Sequence, residues 1–343
     1  MTLKMRSLDD ASAQAWDAFV MSRPDATFFH LTGWETVIHE AFGFRTFYTI
    51  AEQDGAIVGI LPLVQVKTLL FGNVLTSTPF CVYGGPLAVD ADVAAALAAH
   101  AAALLPQTGA GVVEFRHRDA VDSQWEGRPE LYVTFRKPIT ADHEQNMKAI
   151  PRKQRAMVRK GIQNGLTSVV EQDPARLYGI YAESVRNLGT PVFSYRFFKI
   201  LMRTFADCAD IVTIMHDGTA VASVMNFYFR DEVLPYYGGG TMGARPVAGN
   251  DFMYWEVMRR AADRGHRLFD FGRSKIGTGA YSFKHNWGFE AANLHYRYAL
   301  APGASIPDHN PLNPKYALFI AAWKRLPLPI ANLLGPPIVR GLG

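Results

Sequence analysis

Apolar and polar positions alternate along this chain in a pattern that occurs twice. Phe47-Tyr48-Thr49-Ile50 leads into Asp54-Gly55 and resumes as Ile57-Val58-Gly59-Ile60-Leu61-Pro62-Leu63. Ile211-Val212-Thr213-Ile214 leads into Asp217-Gly218 and resumes as Ala220-Val221-Ala222-Ser223-Val224-Met225. Two β-rich runs flanking Asp-Gly predict a hairpin, because the glycine accepts a positive φ. Tyr83-Gly84-Gly85 follows the first hairpin and Tyr237-Gly238-Gly239 the second. A helical stretch comes next in both, Asp92–Leu105 and Asp251–Arg264, and then a strand, Val112-Val113-Glu114-Phe115 or Leu268-Phe269-Asp270-Phe271. The tyrosine and the strand acid are 31 residues apart in one half and 33 in the other. Upstream, Trp16, Phe19 and Trp34 in helical segments find counterparts in Tyr178, Tyr181 and Phe198. Each half reads helix, helix, hairpin, strand, helix, strand. That order predicts a duplicated unit of the α/β (α+β) class, with mixed sheets flanked by helices.

The expected division is 1–140, 141–300 and a tail, 301–343, with the border near Pro138–Pro151. Pro151 is placed to open a helix. The tail is rich in proline and carries an apolar stretch, Tyr316 to Trp323. It is expected to pack back on the body. The other outcome is peripheral contact with a membrane through Lys324, Arg325 and Arg340.

Composition adds limits. The 343 residues are 49% hydrophobic and 19% charged, enough apolar material for sizeable cores. A net charge of +4 is a weak pointer to anionic partners and not to DNA. Cys81 and Cys208 make neither a disulfide framework nor a zinc site. The apolar run Ala91 to Leu105 is shorter than the roughly 20 residues of a membrane span. No secretory signal opens the chain. The expectation is a cytoplasmic monomer, able to sit at the inner face of the membrane.

Gly238-Gly239-Gly240-Thr241-Met242-Gly243 fits G-x-G-x-x-G, but Pro246 and Gly249 interrupt before a helix starts, against a dinucleotide site. A bent or splayed strand is the alternative. No serine-hydrolase, P-loop or zincin motif is present, and no metal is expected. Lys148 to Lys160 carries Lys148, Arg152, Lys153, Arg155, Arg159 and Lys160 without an acid. On a helix Arg152, Arg155 and Arg159 share a face, either solvated or phosphate-binding. The densest constellation runs from Phe271-Gly272-Arg273-Ser274 to Tyr281-Ser282-Phe283-Lys284-His285-Asn286-Trp287-Gly288, past a strand end where sites gather. A lysine among aromatics there can stabilise negative charge on a carbonyl oxygen, or be an exposed lysine on a capped loop.

These residues resemble the FemAB/FemX family of peptidoglycan-bridge aminoacyltransferases and the related BioF2-like acetyltransferase domains. The resemblance covers most of residues 1–300. It rests on the duplicated unit, the basic helix Arg152-Lys153-Gln154-Arg155 to Arg159-Lys160-Gly161, the strand Phe269-Asp270-Phe271-Gly272-Arg273, and Phe283-Lys284 with Trp287-Gly288. Ala26-Thr27-Phe28-Phe29-His30 and Ser77-Thr78-Pro79-Phe80-Cys81-Val82-Tyr83-Gly84-Gly85 look like the subgroup associated with exosortase/PEP-CTERM systems and exopolysaccharide gene sets. The resemblance implies two tandem GNAT-type units and attack of an amine on an activated acyl carbon. Lys284 would sit at the oxyanion. Phe283, Trp287 and Tyr237 would line the acyl channel, Arg273 would position a polar group, and Tyr195 and Arg196 would bind the acceptor. No cofactor is implied. The donor would be an aminoacyl-tRNA or acyl-CoA, and the acceptor a cell-envelope or saccharide precursor. His285 and donor-assisted transfer both remain open as the route for the proton.

Departures accompany the resemblance, among them the long helical arm of some members, which has no counterpart here and which other members also lack. Ile38 stands near the place where relatives acting on the cell-wall nucleotide precursor carry a lysine. Arg245-Pro246-Val247-Ala248-Gly249-Asn250 does not fit the CoA-pyrophosphate loop R-x-x-G-x-G/A. The leading expectation is a FemAB-type N-acyltransferase. The alternative is a catalytically inactive double-GNAT module that binds an anionic glycan or a partner of the exopolysaccharide machinery.

Overall fold

The computed structural model describes residues 2–68, 72–306 and 317–342. Its elements begin with β1 (Lys4–Ser7), α1 (Ala13–Ser22), α2 (Gly33–Phe42), β2 (Arg45–Gln53), β3 (Ala56–Thr68), β4 (Gly72–Ser77), β5 (Leu87–Ala88), α3 (Ala91–Thr108), β6 (Val112–His117) and β7 (Glu126–Gly127). There follow β8 (Tyr132–Pro138), α4 (His143–Ala149), α5 (Arg152–Gln163), β9 (Thr167–Glu171), α6 (Ala175–Leu188), α7 (Tyr195–Thr204), β10 (Ala209–His216), β11 (Thr219–Phe229), β12 (Glu232–Gly240) and α8 (Gly249–Asp263). The last are β13 (Leu268–Asp270), β14 (Ser274–Lys275), α9 (Gly279–Asn286), β15 (Ala291–Asn293), β16 (His295–Leu300), α10 (Ala317–Trp323) and α11 (Leu328–Val339).

Two mixed sheets form, as the duplicated pattern predicts. The first runs β1-β2-β3-β4-β6-β16-β7, the second β14-β8-β13-β12-β11-β10-β9. Both Asp-Gly pairs close hairpins, β2 to β3 and β10 to β11. Asp54 and Gly55 have φ 50° and 81°, and Asp217 and Gly218 have 47° and 76°. Two successive positive φ values give the turn whose twist matches that of the flanking strands. In each half a third antiparallel strand follows, then a helix, then a strand that pairs in parallel with the third.

The chain divides into two compact units, one holding the residues up to Leu131 and the segment from Asn293, the other holding Tyr132–Ala292 and the C-terminal helices. The strand predicted at Leu131 to Phe135 forms as β8, but its neighbour is β13 in the second sheet, with Asp270 opposite Arg136. β16 pairs with β6 of the first sheet, from His295↔His117 to Leu300↔Val112. Strand pairing, and not the prolines at Pro138 and Pro151, therefore sets where the units divide.

In the first unit, α3 lays Val93, Leu97 and Ala101 against Leu61, Leu63 and Val113. It comes so close that a Cβ on Gly59 would stand 2.7 Å from Val93 Cγ1. Trp16, Phe28, Phe29, Trp34, Tyr48 and Tyr83 are buried, with Trp16 stacked on Tyr48. Burial pushes His30 down to about 4. It pushes His117 down to about 3, helped by the neighbouring His30.

In the second unit, α8 packs Val257 and Ala261 among Val212, Val224 and Phe269. The basic segment is not one helix. α4 ends at Ala149, and Pro151 stands at the N-terminal boundary of α5, so Arg152, Arg155 and Arg159 share a helix but Lys148 does not. In the tail, α10 takes up the apolar stretch from Ala317, while Tyr316 lies outside the described residues. Trp323, Ala331 and Val339 are buried, and α11 lies along α6. Among the described residues no helix is long and apolar enough to cross a membrane, and no group of His, Cys, Asp and Glu could hold a metal. Cys81 and Cys208 are free thiols.

Both histidines favour their neutral form when folded, so the stability they confer is complete above pH 6.5 and is lost as pH falls toward their folded values. Each is expected to cost about 2 kcal/mol between pH 6.5 and 5. Urea midpoints measured across that range should fall in the natural chain and flatten in a His30→Asn/His117→Asn variant.

Candidate functional site

The second sheet opens beside β12. The ladder to β11 slips between Met225 and Asn226, leaving Tyr236 as an extra residue. The parallel ladder to β13 has two pairs, Glu232↔Leu268 and Val233↔Phe269, while β12 runs on to Gly240. The two strands thus part at their carboxyl ends, the position at which open α/β sheets hold ligands. The glycine run lies in the strand. A Cβ on Gly239 would stand 2.5 Å from Ser184 of α6, and one on Gly240 would stand 2.5 Å from Asn250 of α8. Close approach of the two helices is what requires glycine here.

The segment joining β12 to α8 is a poor cradle for a pyrophosphate. The Met242 amide donates to Glu183 Oε1 at 3.0 Å. α8 starts from Ala248 at φ 61° without a side-chain cap, and its first turn carries Asp251. Carboxylates on a loop amide and in the first helical turn repel the anion that a helix N-terminus otherwise attracts.

Tyr237 is expected at the wall of a channel, and the structure buries it instead. Its ring meets Tyr181, Phe193, Phe197 and Phe198 with centroids 5.4–6.0 Å away. α7, capped by Ser194 Oγ accepting from the Phe197 amide, presents Tyr195 and Arg196 beyond that cluster. Tyr195 donates its hydroxyl to Asp173 Oδ1 at 3.1 Å, and Arg196 is exposed.

The end of β13 is a node of buried charge. Asp270 is 1% exposed. One carboxylate oxygen accepts from the Gly272 amide at 2.6 Å, and the other lies 3.3 Å from Arg136 Nε on β8. Arg136 also pairs with Glu232. Lys284, on α9, completes the node. Its Nζ donates to the carbonyls of Phe271 at 2.7 Å, Gly272 at 3.0 Å and Arg273 at 3.0 Å. Burial lowers its pKa to about 7, against the pull of Asp270 and with the repulsion of Arg273. In its ammonium form Lys284 has three protons, matched by three main-chain oxygens within hydrogen-bond distance. In this arrangement Lys284 holds the Phe271–Arg273 turn, and no N–H is left over for the oxyanion expected of it.

Trp287 does not line a channel either. It is fully buried, and its Nε1 donates to Asp251 Oδ1 at 3.0 Å. The same oxygen accepts from Gln154 at 2.9 Å, which ties α9, α8 and α5 together. Burial raises the pKa of Asp251, against those two hydrogen bonds. Phe283 is half-buried against Tyr254, Phe271 and Trp287. The Arg273 guanidinium lies 4.7 Å from the centre of the Tyr132 ring. Arg152, Arg155 and Arg159 form an open basic face of α5 with Ala156 and Gln163.

The sequence-predicted residues therefore form three groups. Lys284, Phe283, Trp287 and Arg273 gather at the end of β13. Tyr237 lies near Tyr195 and Arg196 on the α6 and α7 side. Arg152 and Arg155 are on α5. Sequence reasoning missed Asp270, Arg136, Asp251 and Gln154. Asp270 had a signal, an acid inside an otherwise apolar strand. The others become visible only when distant segments meet.

Residues 148–285 match the family described as acetyltransferase (GNAT) domain. No curated protein matches the chain. Among solved structures, FemX is 14% identical with a TM-score of 0.66, over 85% of this chain and 96% of that one. A tandem GNAT protein from the clavulanic acid biosynthesis pathway is 13% identical with a TM-score of 0.55, over 89% and 100%. L-PGS from Bacillus licheniformis is 13% identical with a TM-score of 0.55, over 94% and 99%. Sheet topology and these matches together give the chain a tandem GNAT fold.

Trp287→Ala is expected to cost about 3–5 kcal/mol of stability. Trp287→Phe keeps most of the packing and is expected to cost about 1–3 kcal/mol through the lost bond to Asp251. Denaturant unfolding of the two variants checks this, and a Trp287→Ala protein as stable as the natural chain would remove the indole from the core.

Proposed function

We propose that this chain is an N-acyltransferase of FemAB type, moving an ester-activated acyl or aminoacyl group onto an amine of a cell-envelope or saccharide precursor. The observation that carries the reading is the parting of β12 and β13 at their carboxyl ends, beside the Asp270–Lys284 node. An extended acyl donor fits between strands that have stopped pairing, because exposed main chain there can hydrogen-bond it.

The donor in this reading is aminoacyl-tRNA in preference to acyl-CoA. Glu183 on the Met242 amide and Asp251 in the first turn of α8 disfavour the CoA pyrophosphate. The basic face of α5 suits a phosphate-bearing partner, with Arg152 and Arg155 as its contacts. Tyr195 and Arg196 are assigned to the acceptor. The amine attacks the acyl carbon, the carbonyl oxygen takes up negative charge, and the ester oxygen leaves with a proton. In this reading one of the three carbonyl bonds to Lys284 gives way to the substrate, and the N–H it frees meets that oxygen. In the resting state the same bonds hold the turn in place. The exopolysaccharide setting belongs to this proposal too, as the source of the acceptor.

The three carbonyl bonds to Lys284 also favour a second reading, a purely structural lysine in an inactive module that binds an anionic glycan.

The test incubates the purified chain with charged tRNA or acetyl-CoA and an envelope extract, and follows acyl addition by mass spectrometry. Transfer is expected from charged tRNA. Lys284→Ala is expected to lower kcat roughly 100- to 1,000-fold with little change in KM, measured below the temperature at which the less stable variant unfolds. Transfer that persists undiminished takes Lys284 out of the chemistry. No transfer from either donor, with glycan binding retained, selects the second reading.

A further inference from the structure

Large apolar side chains are exposed unevenly in this molecule, and the C-terminal helices hold a concentration of them. Leu318 is 82% exposed and Phe319 43% on α10. On α11, Leu333 is 76% exposed, Leu334 45% and Ile330 44%. The outward positions follow helical spacing. Ala331, Gly335 and Val339 recur every fourth residue and are buried. Ile330, Leu333, Leu334 and Pro337 recur at intervals of three and four and are exposed. α11 therefore has one apolar face against its own unit and a second apolar face turned outward, and it contains no charged residue. A helix on a water-facing surface ordinarily carries polar residues on its outer face. α10 repeats the arrangement, with exposed Ala317, Leu318, Phe319, Ala321 and Ala322 around buried Trp323.

The same unit anchors both helices. A Cβ on Gly189, at the end of α6, would stand 2.5 Å from Ile320, and one on Gly335 would stand 2.8 Å from the Val192 carbonyl. Leu188, beside Gly189, is 69% exposed and extends the patch. The charge carried by the C-terminal segment itself has one sign. Lys324 and Arg325 stand exposed between α10 and α11, and no Asp or Glu occurs from Ala317 to Leu342.

We infer that α10 and α11 form an interfacial docking surface for an anionic lipid bilayer. Leu318, Phe319, Ile330, Leu333 and Leu334 enter the boundary between headgroups and acyl chains, and Lys324 and Arg325 meet the lipid phosphates. Two observations select lipid over a protein partner. The outer face offers no polar side chain to specify a protein's hydrogen bonds. Its cations stand between the helices with no acid among them. The helices are too short to span, since 12 residues reach about 18 Å against a hydrocarbon core of about 30 Å, so they lie in the interface. The inference rests on the tail alone and stands whether or not the chain transfers an acyl group.

The test is flotation of the full chain with vesicles of phosphatidylcholine, and with vesicles in which part of it is replaced by phosphatidylglycerol. Association is expected with the anionic vesicles and weakly or not at all with the neutral ones. Lys324→Glu/Arg325→Glu is expected to lower the anionic-vesicle partition about tenfold or more. Leu318→Glu/Leu333→Glu is expected to lower it by at least as much. Both variants change exposed side chains, and circular dichroism should match the natural chain. No association of the natural chain with anionic vesicles at low salt overturns the inference. So does association that survives Leu318→Glu/Leu333→Glu. A dimer in solution that this variant dissociates, without vesicle binding by the natural chain, assigns the face to a second copy instead.

Discussion

Much of the second unit depends on a carboxylate removed from water. Asp270 sits at the end of β13 with Arg136 on one side, the Gly272 amide on another, and the Lys284 ammonium within the same node. A lone buried carboxylate would be too costly to keep ionised, so its partners are a condition of the fold. Those partners come from β8, far away in the chain, from the turn directly after β13, and from α9, which follows that turn closely. The charge therefore fixes where these segments meet. It also fixes the turn Phe271–Arg273, whose carbonyls all face one ammonium.

That node stands next to the place where β12 leaves β13. A parallel pair that stops after two residues would be a defect in a sheet built only for stability, since each lost ladder bond removes a stabilising contact. Here the loss is localised. Lys284 and Asp270 stiffen β13 and its turn, while the aromatic group around Tyr237 stiffens β12 from the other face. Both rims of the opening are held rigid by interactions that do not involve each other. In the proposed reading such an opening suits a ligand that has to be aligned and not merely enclosed.

The duplicated architecture was legible because it is written in local rules. Two Asp-Gly turns, two tyrosine-glycine segments and two acid-bearing strands recur in the same order, and each depends only on neighbours in sequence. The glycine run was likewise readable as strand and not as a nucleotide loop. The site was less legible. Lys284, Phe283, Trp287 and Arg273 were found as a cluster and do come together, yet their individual roles depend on facts no local pattern carries. Whether an ammonium faces a ligand or three carbonyls depends on how the chain turns 11 to 13 residues earlier. Whether an indole is a wall or a core residue depends on Asp251 and Gln154, which lie 36 and 97 residues from their partners. The assignment of β8 failed to show for the same reason. An apolar strand announces itself, but its neighbour in a sheet is a long-range choice.

That choice has a temporal side. The first sheet needs β16, whose residues are His295–Leu300, to flank β6 and β7. On a ribosome the chain emerges from its amino end, and domains in general fold as soon as they are complete. Here the earlier half has to wait, with the edge of β6 unpaired, until nearly all of the later half has been made. An uncovered strand edge is open to pairing with other chains in the meantime. A gene duplication would by itself have left two copies able to mature one after the other. Because β8 lies in the later sheet and β16 in the earlier one, neither half can be cut away without opening a sheet in the other.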